Sequence, residues 1–355
     1  MIKADIIAGA RPNFIKAGPI YKAMKESRNF IPRFIHMGQH TNPIMSLDIH
    51  KAVGIDIPEI FLETNSISGI ECFCEMVKKY NLELTKNRPD IVLSLGDTDS
   101  AFAGAYVAKR NNLPVAHVES GTRSRMPFSV EENNRKMIDH ISDLLFVPME
   151  DAVDNLINEN VVGKMINVGN VMIDSLKMIK NSEFYKNVDY VGCEVLVTLH
   201  RSENVDSEEN LIKIIKLVDL ISEKYSVCFP VHPRTMNKLF SYSLLSNKKY
   251  IFPPLNYPEF LKTLSKCKVI LTDSGGVQVE SCFMGIPCIV LSETTGWTNL
   301  LRLGAVKLGN PDTALDLITD IMYDEKKLSF DIPMWDGKSS DKILRGIYDF
   351  IHSNI

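Results

Sequence analysis

Three carboxylates and one histidine sit where proton chemistry could be done. Asp97 lies in Gly96-Asp97-Thr98 and Glu119 in His117-Val118-Glu119-Ser120-Gly121; Glu131 opens Glu131-Glu132-Asn133-Asn134-Arg135, and His200 opens His200-Arg201-Ser202-Glu203-Asn204. These side chains take or give protons near neutral pH once their surroundings adjust them. Three cations from separate loops, Arg11, Arg201 and Arg234, suit a diphosphate. Asp273-Ser274-Gly275-Gly276 ends the apolar β-branched run from Val269 to Thr272 and starts a helix. Adjacent glycines let the backbone approach a ligand, and the free N–H groups of a helix start favour an anion. Glu280, one turn further, suits a ribose diol, so this stretch reads as a nucleotide-diphosphate site. Each residue also has a structural reading: Asp97 or Glu131 as helix caps, Glu119 as a partner of Arg123, His117 and His140 as packed side chains. Taken together they describe a diphosphate clamp beside a centre of proton traffic.

The elements that must position these groups alternate strand and helix. Apolar runs at Ala4–Ala8, Pro32–Met37, Ile91–Leu95, Val115–Val118 and Leu144–Val147 are each followed by a polar turn. Most of these turns lead into a helix. Ala101, Ala103, Gly104, Ala105 and Ala108 let one of these helices lie close on the sheet. The rhythm restarts with Glu194–Leu199, Val227–Val231, Tyr250–Phe252, the organising run at Val269 and a last strand at Cys288–Leu291. This βαβα pattern predicts α/β domains with parallel sheets covered on both faces, whose ligands sit beyond the carboxyl ends of the strands. The polar stretch around Lys177 to Tyr190 places the link between a first domain, 1–170, and a second, 190–340, with a terminal helix in 341–355.

Bulk properties narrow the function. The 355 residues are too many for one ordinary core, and a net charge of −4 argues against nucleic acid or an anionic membrane as partner. Seven cysteines, an odd number lying mostly in apolar segments, read as reduced thiols of a cytoplasmic protein. Neither a dinucleotide fingerprint nor Cys/His clusters of ligand spacing occur, so no cofactor and no metal are expected. The start of the chain runs directly into a strand, which predicts no leader and no membrane anchor.

The chain resembles the non-hydrolysing UDP-N-acetylglucosamine 2-epimerases from about residue 5 to 310. The resemblance rests on Gly9-x-Arg11-Pro12 with Ile15-Lys16, Gly38-Gln39-His40, Gly96-Asp97-Thr98, His117-Val118-Glu119-x-Gly121-x-Arg123 and Glu131-Glu132-x-Asn134-Arg135, then His140. Val168-Gly169-Asn170, His200-Arg201-x-Glu203-Asn204, His232-Pro233, Thr272-Asp273-Ser274-Gly275-Gly276-x-Gln278-x-Glu280 and Thr294-Thr295 follow in the same order. It implies two Rossmann-like doubly wound domains in the glycosyltransferase B-type architecture, an active site in the interdomain cleft, a terminal helix packed back on the first domain, and a homodimer. By position, the family's acid and base carboxylates fall on Asp97, Glu119 and Glu131, and its catalytic-loop histidine on His200. Arg11, His232, Ser274, Gly275, Gly276 and Glu280 fall on nucleotide-binding residues; Lys16, Arg135, Arg201 and Arg234 complete the UDP-sugar set. Gln39 and His40 fall where regulated enzymes hold a second UDP-sugar, with Asn42 in place of a glutamine of that set.

The implied reaction makes chemical sense. A sugar C2–H beside an acetamido group is too weak an acid for a carboxylate base. Departure of UDP from C1 builds oxocarbenium character that acidifies it. Loss of UDP and the C2 proton gives a 2-acetamidoglucal, and return of both, with the proton on the other face, gives the epimer. Two faces need two proton-handling groups, and crowding and burial are expected to raise at least one carboxylate toward neutrality. Trp297 stands where these enzymes carry arginine and Val279 where they carry an acidic residue, while the loop from Glu119 to Glu131 is shorter. Trp297, His232-Pro233-Arg234-Thr235 and Glu203-Asn204-x-Asp206 are more similar to the branch acting on UDP-2,3-diacetamido-2,3-dideoxy-glucuronate. A glycosyltransferase would need an acceptor pocket in place of the carboxylates; a non-catalytic nucleotide-sugar binder would not need them at all.

Overall fold

The computed structural model describes residues 1–38, 55, 59–64, 69–126, 129–246, 248–323 and 330–353, without the side chain of Arg11. Gln39, His40 and Asn42 lie outside the described residues. The chain divides into two compact units, Met1–Lys180 with Ile332–Ile355, and Asn181–Asp331.

In the first unit the elements run β1 (Ile2–Ala8), α1 (Arg11–Glu26), β2 (Phe30–His36), β3 (Ile60–Phe61), α2 (Gly69–Lys86), β4 (Ile91–Leu95), α3 (Asp99–Arg110), β5 (Val115–Val118), α4 (Val130–Ile141), β6 (Leu144–Val147), α5 (Glu150–Asn158), β7 (Lys164–Asn167) and α6 (Val171–Lys180). The second unit continues with α7 (Glu183–Asn187), β8 (Val195–Thr198), α8 (Ser202–Val205), α9 (Glu208–Lys224), β9 (Val227–Pro230), α10 (Pro233–Ser241), β10 (Ile251–Phe252), α11 (Tyr257–Leu264), β11 (Val269–Thr272), α12 (Gly275–Met284), β12 (Cys288–Leu291), α13 (Thr298–Arg302), β13 (Val306–Gly309) and α14 (Ala314–Tyr323). A terminal helix, α15 (Ser339–Ser353), belongs to the first unit.

Both sheets are parallel, in the orders β3-β2-β1-β4-β5-β6-β7 and β10-β9-β8-β11-β12-β13. Each reverses direction between its two central strands, β1 and β4 in one and β8 and β11 in the other. Loops diverge to opposite faces there and open a crevice. The inner strands β4, β5, β6, β11 and β12 are buried along their length, as their apolar runs require, while the edge strands are partly exposed. The small residues of α3 do what their size suggests: a Cβ on Gly104 would lie 2.7 Å from Ile7 of β1. In α1, Pro19 cannot donate to the carbonyl of Ile15, and Ser175 Oγ of α6 takes that carbonyl at 2.5 Å. The returning segment is tied down by Trp335, whose indole donates to Pro148 O at 3.0 Å. Asp174 accepts from the Ser339 and Ser340 amides at 3.2 and 2.7 Å at the start of α15.

Several elements depart from the sequence reading, among them β3 and β7, which extend the first sheet beyond the five strands expected. Cys288–Leu291 is not the last strand, because β13 pairs with β12 beyond it; an edge strand with one exposed lysine carries little apolar pattern. Helix α2 buries Met76, Tyr80 and Leu84 at successive turns on one stripe within otherwise polar residues.

Candidate active site

In the first unit the turns after β1, β4 and β5 converge. Lys16, on the second turn of α1, places Nζ 2.9 Å from Glu119 Oε2, both nearly buried. Gly96 adopts φ +70°, and a Cβ there would lie 2.8 Å from that Nζ, so the turn must carry glycine to admit the lysine. Asp97 is ion-paired with Arg135 Nη2, and Arg135 Nη1 reaches Glu132 Oε2 at 2.8 Å. Burial alone would push the Asp97 carboxyl up; the charges of Arg135 and Lys16 outweigh it and hold the group below its ordinary value. For Asp97 the expectation of a carboxylate raised toward neutrality is therefore reversed. Glu119 has φ +71°, a left-handed conformation that costs a non-glycine residue on the order of 1 kcal/mol or more and persists only where neighbours impose it.

The capping alternatives resolve in favour of other residues. Thr98 caps α3, its side chain accepting from Ala101 N at 3.3 Å, and Ser129 caps α4 by accepting from Glu132 N at 3.3 Å. Asp97 caps neither helix. Arg123 pairs with Asp139 and Glu159 at 2.8 and 2.6 Å rather than with Glu119. Glu131 is exposed and accepts from Ser129 Oγ at 2.9 Å. Its neighbour Glu132 is the buried one, accepting from the Ser124 amide and hydroxyl at 2.9 Å while holding Arg135. Sequence reasoning missed Glu132, because two adjacent glutamates at a helix start give no sign of which faces inward. It also missed Asn13, whose Oδ1 accepts from Ala10 N and Thr98 Oγ1 at 3.0 and 3.1 Å and joins the first and fourth turns.

In the second unit the loop after β8 is built around Asp273 at the end of β11. This buried carboxylate accepts from the His200 and Arg201 amides at 3.1 and 3.0 Å and from Asn204 Nδ2 at 3.0 Å, and His200 Nδ1 lies 3.2 Å away. Burial pushes the Asp273 carboxyl up, but its bonds to His200 and Asn204 and to the Arg201 amide bring it below the ordinary range. His200 is thereby oriented with half its side chain open, its ring 5.9 Å from that of His232, which caps α10 by accepting from Arg234 N at 3.2 Å. Ser274 precedes α12 at its N-cap position without a side-chain capping bond, and Gly275 and Gly276 begin the helix. The space above Gly275 is bordered by Trp297 Nε1 and Arg201 Nη2, 3.8 and 4.0 Å from where a Cβ would stand. Trp297 is fixed there through its amide bond to Thr295 Oγ1, 3.2 Å, and that hydroxyl's bond to Gln278 Oε1, 2.6 Å. Arg234 is half exposed and paired with Asp206. Glu280 is buried and accepts from Tyr257 Oη at 2.6 Å.

One unit thus gathers carboxylates held by cations, and the other offers a helix start with N–H donors around a glycine. Two Rossmann-like doubly wound parallel-sheet units define the glycosyltransferase B-type class. The chain belongs to the UDP-N-acetylglucosamine 2-epimerase family, whose model matches residues 22–348. Members of this family are isomerases. A relative named UDP-N-acetylglucosamine 2-epimerase in Methanocaldococcus jannaschii is 36% identical over 361 residues, covering 97% of this chain and 98% of the relative. The Pseudomonas aeruginosa UDP-2,3-diacetamido-2,3-dideoxy-D-glucuronate 2-epimerase is 36% identical over 316 residues, covering 86% and 87%. A crystal structure of the M. jannaschii UDP-GlcNAc 2-epimerase in complex with UDP-GlcNAc and UDP superposes with a TM-score of 0.88 at 36% identity, covering 98% of this chain and 99% of that one.

Proposed function

We propose that the protein epimerises C2 of a UDP-activated 2-acetamido sugar, UDP-GlcNAc to UDP-ManNAc or a close relative, by anti elimination of UDP and re-addition. The observation that carries this reading is the first-unit cluster: two carboxylates, Asp97 and Glu119, each tied to its own cation at the end of a central strand, one on a left-handed residue. In the forward half-reaction the C1–O bond to UDP breaks and the C2 proton passes to one carboxylate. In the return a proton is delivered to the opposite face of C2 as UDP re-forms the C1–O bond, so no redox equivalent is consumed. Asp97, Glu119 and Glu131 share the proton handling, and His200, oriented by Asp273, serves at the leaving group. Arg201, Ser274, Gly275, Gly276, His232, Arg234 and Glu280, with Arg11, bind UDP, the cations and helix start taking charge as it accumulates on the pyrophosphate. Lys16 and Arg135 hold the Asp97 carboxyl below its ordinary value. Gln39 and His40 would contribute to a second UDP-sugar site.

The likeness to the P. aeruginosa enzyme and Trp297 beside Gly275 favour a second reading, the UDP-2,3-diacetamido-2,3-dideoxy-glucuronate substrate. A homodimeric, cytoplasmic enzyme supplying surface polysaccharide or glycan precursors fits this chemistry, and no helix among the described residues is long and apolar enough to cross a membrane. The test is a panel of UDP-sugars with the product identified by NMR. Inversion at C2 of one of the two named substrates is expected; transfer of the sugar to an acceptor without inversion would replace the reading with a glycosyltransferase.

A further inference from the structure

Three consecutive carbonyls in the turn that carries Asp97 are each held by a side chain from a different element. Asn13 Nδ2 of α1 donates to Leu95 O at 2.6 Å, His117 Nε2 of β5 lies 2.8 Å from Gly96 O, and Asn134 Nδ2 of α4 donates to Asp97 O at 3.1 Å. His117 differs from the other two. It is fully buried, and its second ring nitrogen, Nδ1, lies 2.6 Å from Asp139 Oδ1. A carbonyl oxygen only accepts, and so does an ionised carboxylate, whereas a neutral imidazole has a single N–H to give. Asp139 is kept ionised by its other partners: Oδ2 accepts from Gly121 N at 3.1 Å and faces Arg123 Nη2 at 2.8 Å.

We infer that His117 is a buried imidazolium that donates from both ring nitrogens, and that it is a positioning residue clamping the Asp97 turn to the Glu119 turn. Its functional part rests on the epimerase reading. The His117–Asp139 pair holds both ends of the pair of carboxylates: His117 grips Gly96, just before Asp97, and Asp139 grips Gly121, just after Glu119. Glu119 itself follows His117 by two residues, so its left-handed backbone is bracketed on both sides. The charged groups surrounding the ring are Asp139 of α4, Arg123 with Glu159 behind it, and Asp97 with Lys16 and Arg135. A neutral side chain at 117 would leave a buried acceptor unpaired and release one turn from the other.

The test uses the full chain with 15N-histidine and reads the ring nitrogens by NMR at the pH of activity, the His117 signals being assigned by their loss in His117→Gln. Two protonated ring nitrogens are expected at His117. A single N–H, as when the proton sits on Asp139, overturns the inference. Asp139→Asn, which keeps the shape and removes the counter-charge, provides a second variant should His117→Gln not fold. In the folded fraction of either variant kcat is expected to fall about a hundredfold, as for reacting groups misplaced by about 1 Å. Affinity for UDP, which the proposed function rests mainly on second-unit residues, should stay within about a factor of two. Unchanged kcat per folded molecule overturns the positioning role. A neutral ring in a native protein that epimerises overturns the imidazolium and spares the epimerase reading. A native protein that inverts no UDP-sugar overturns that reading, and the ring signals then decide the charge of His117 on their own.

Discussion

The two units place their charges in opposite ways. In the first, Lys16, Glu119, Asp97, Arg135 and Glu132 are sunk among one another, both of these cations paired with carboxylates of the same unit. In the second, Arg234 is half exposed in its pair with Asp206, Arg201 is partly exposed beside Glu203 at 3.5 Å, and donors surround an open glycine at a helix start. A buried, ion-paired cluster has its geometry set before any ligand arrives, which suits chemistry on a reacting atom. Partly exposed cations beside the N–H donors of a helix start can be reached by an anion from outside, which suits binding. The proposed function accordingly gives reaction to the first unit and most of the UDP recognition to the second.

The largest effect expected from this division is on turnover in the first unit. Asp97→Asn or Glu119→Gln should lower kcat by about two to four orders of magnitude with UDP affinity nearly unchanged. Steady-state kinetics with UDP titration checks it, and near-normal kcat in a folded variant would remove that carboxylate from the reaction. In the second unit the pattern should invert. Glu280→Ala removes a buried acceptor of charge-assisted bonds and should weaken UDP itself by about ten- to a hundredfold in calorimetry. Lost kcat with unaltered UDP affinity would blur the division.

The smallest effect concerns pH. Asp97 and Asp139 are both held below the ordinary carboxylate range. Their contribution to stability is therefore present above about pH 4, where the unfolded groups are ionised, and is lost as pH falls through the lower folded values. The urea midpoint of the native protein should fall on going from neutral pH to about pH 3. Asp97→Asn should lose less over that interval, and an equal loss in both would contradict the assignment.

Much of the site could be read from the sequence because it sits at strand ends: Asp97, Glu119, His200 and Ser274 each follow a short apolar run that names its own carboxyl end. What could not be read is the set of side chains that face inward from helices. Glu132 rather than Glu131 meets Arg135, a matter of one residue of helical rotation, about 100°. Asp273 looked like part of a helix start, yet it points back under the neighbouring loop and organises His200. His117 read as a packed histidine, and packed it is, but both nitrogens are engaged through residues at sequence separations no local pattern reports. The same applies to the carboxylate charge state: crowding was visible in the motifs, whereas Lys16 and Arg135 reach it only through the fold.

The central claim is that Asp97 and Glu119 move the C2 proton of a UDP-sugar. Native protein turning over the accepted UDP-2-acetamido sugar in deuterated water should place one deuterium at C2 of each inverted product, and Glu119→Gln should slow that incorporation together with inversion. Inversion that retains the original C2 hydrogen would contradict it.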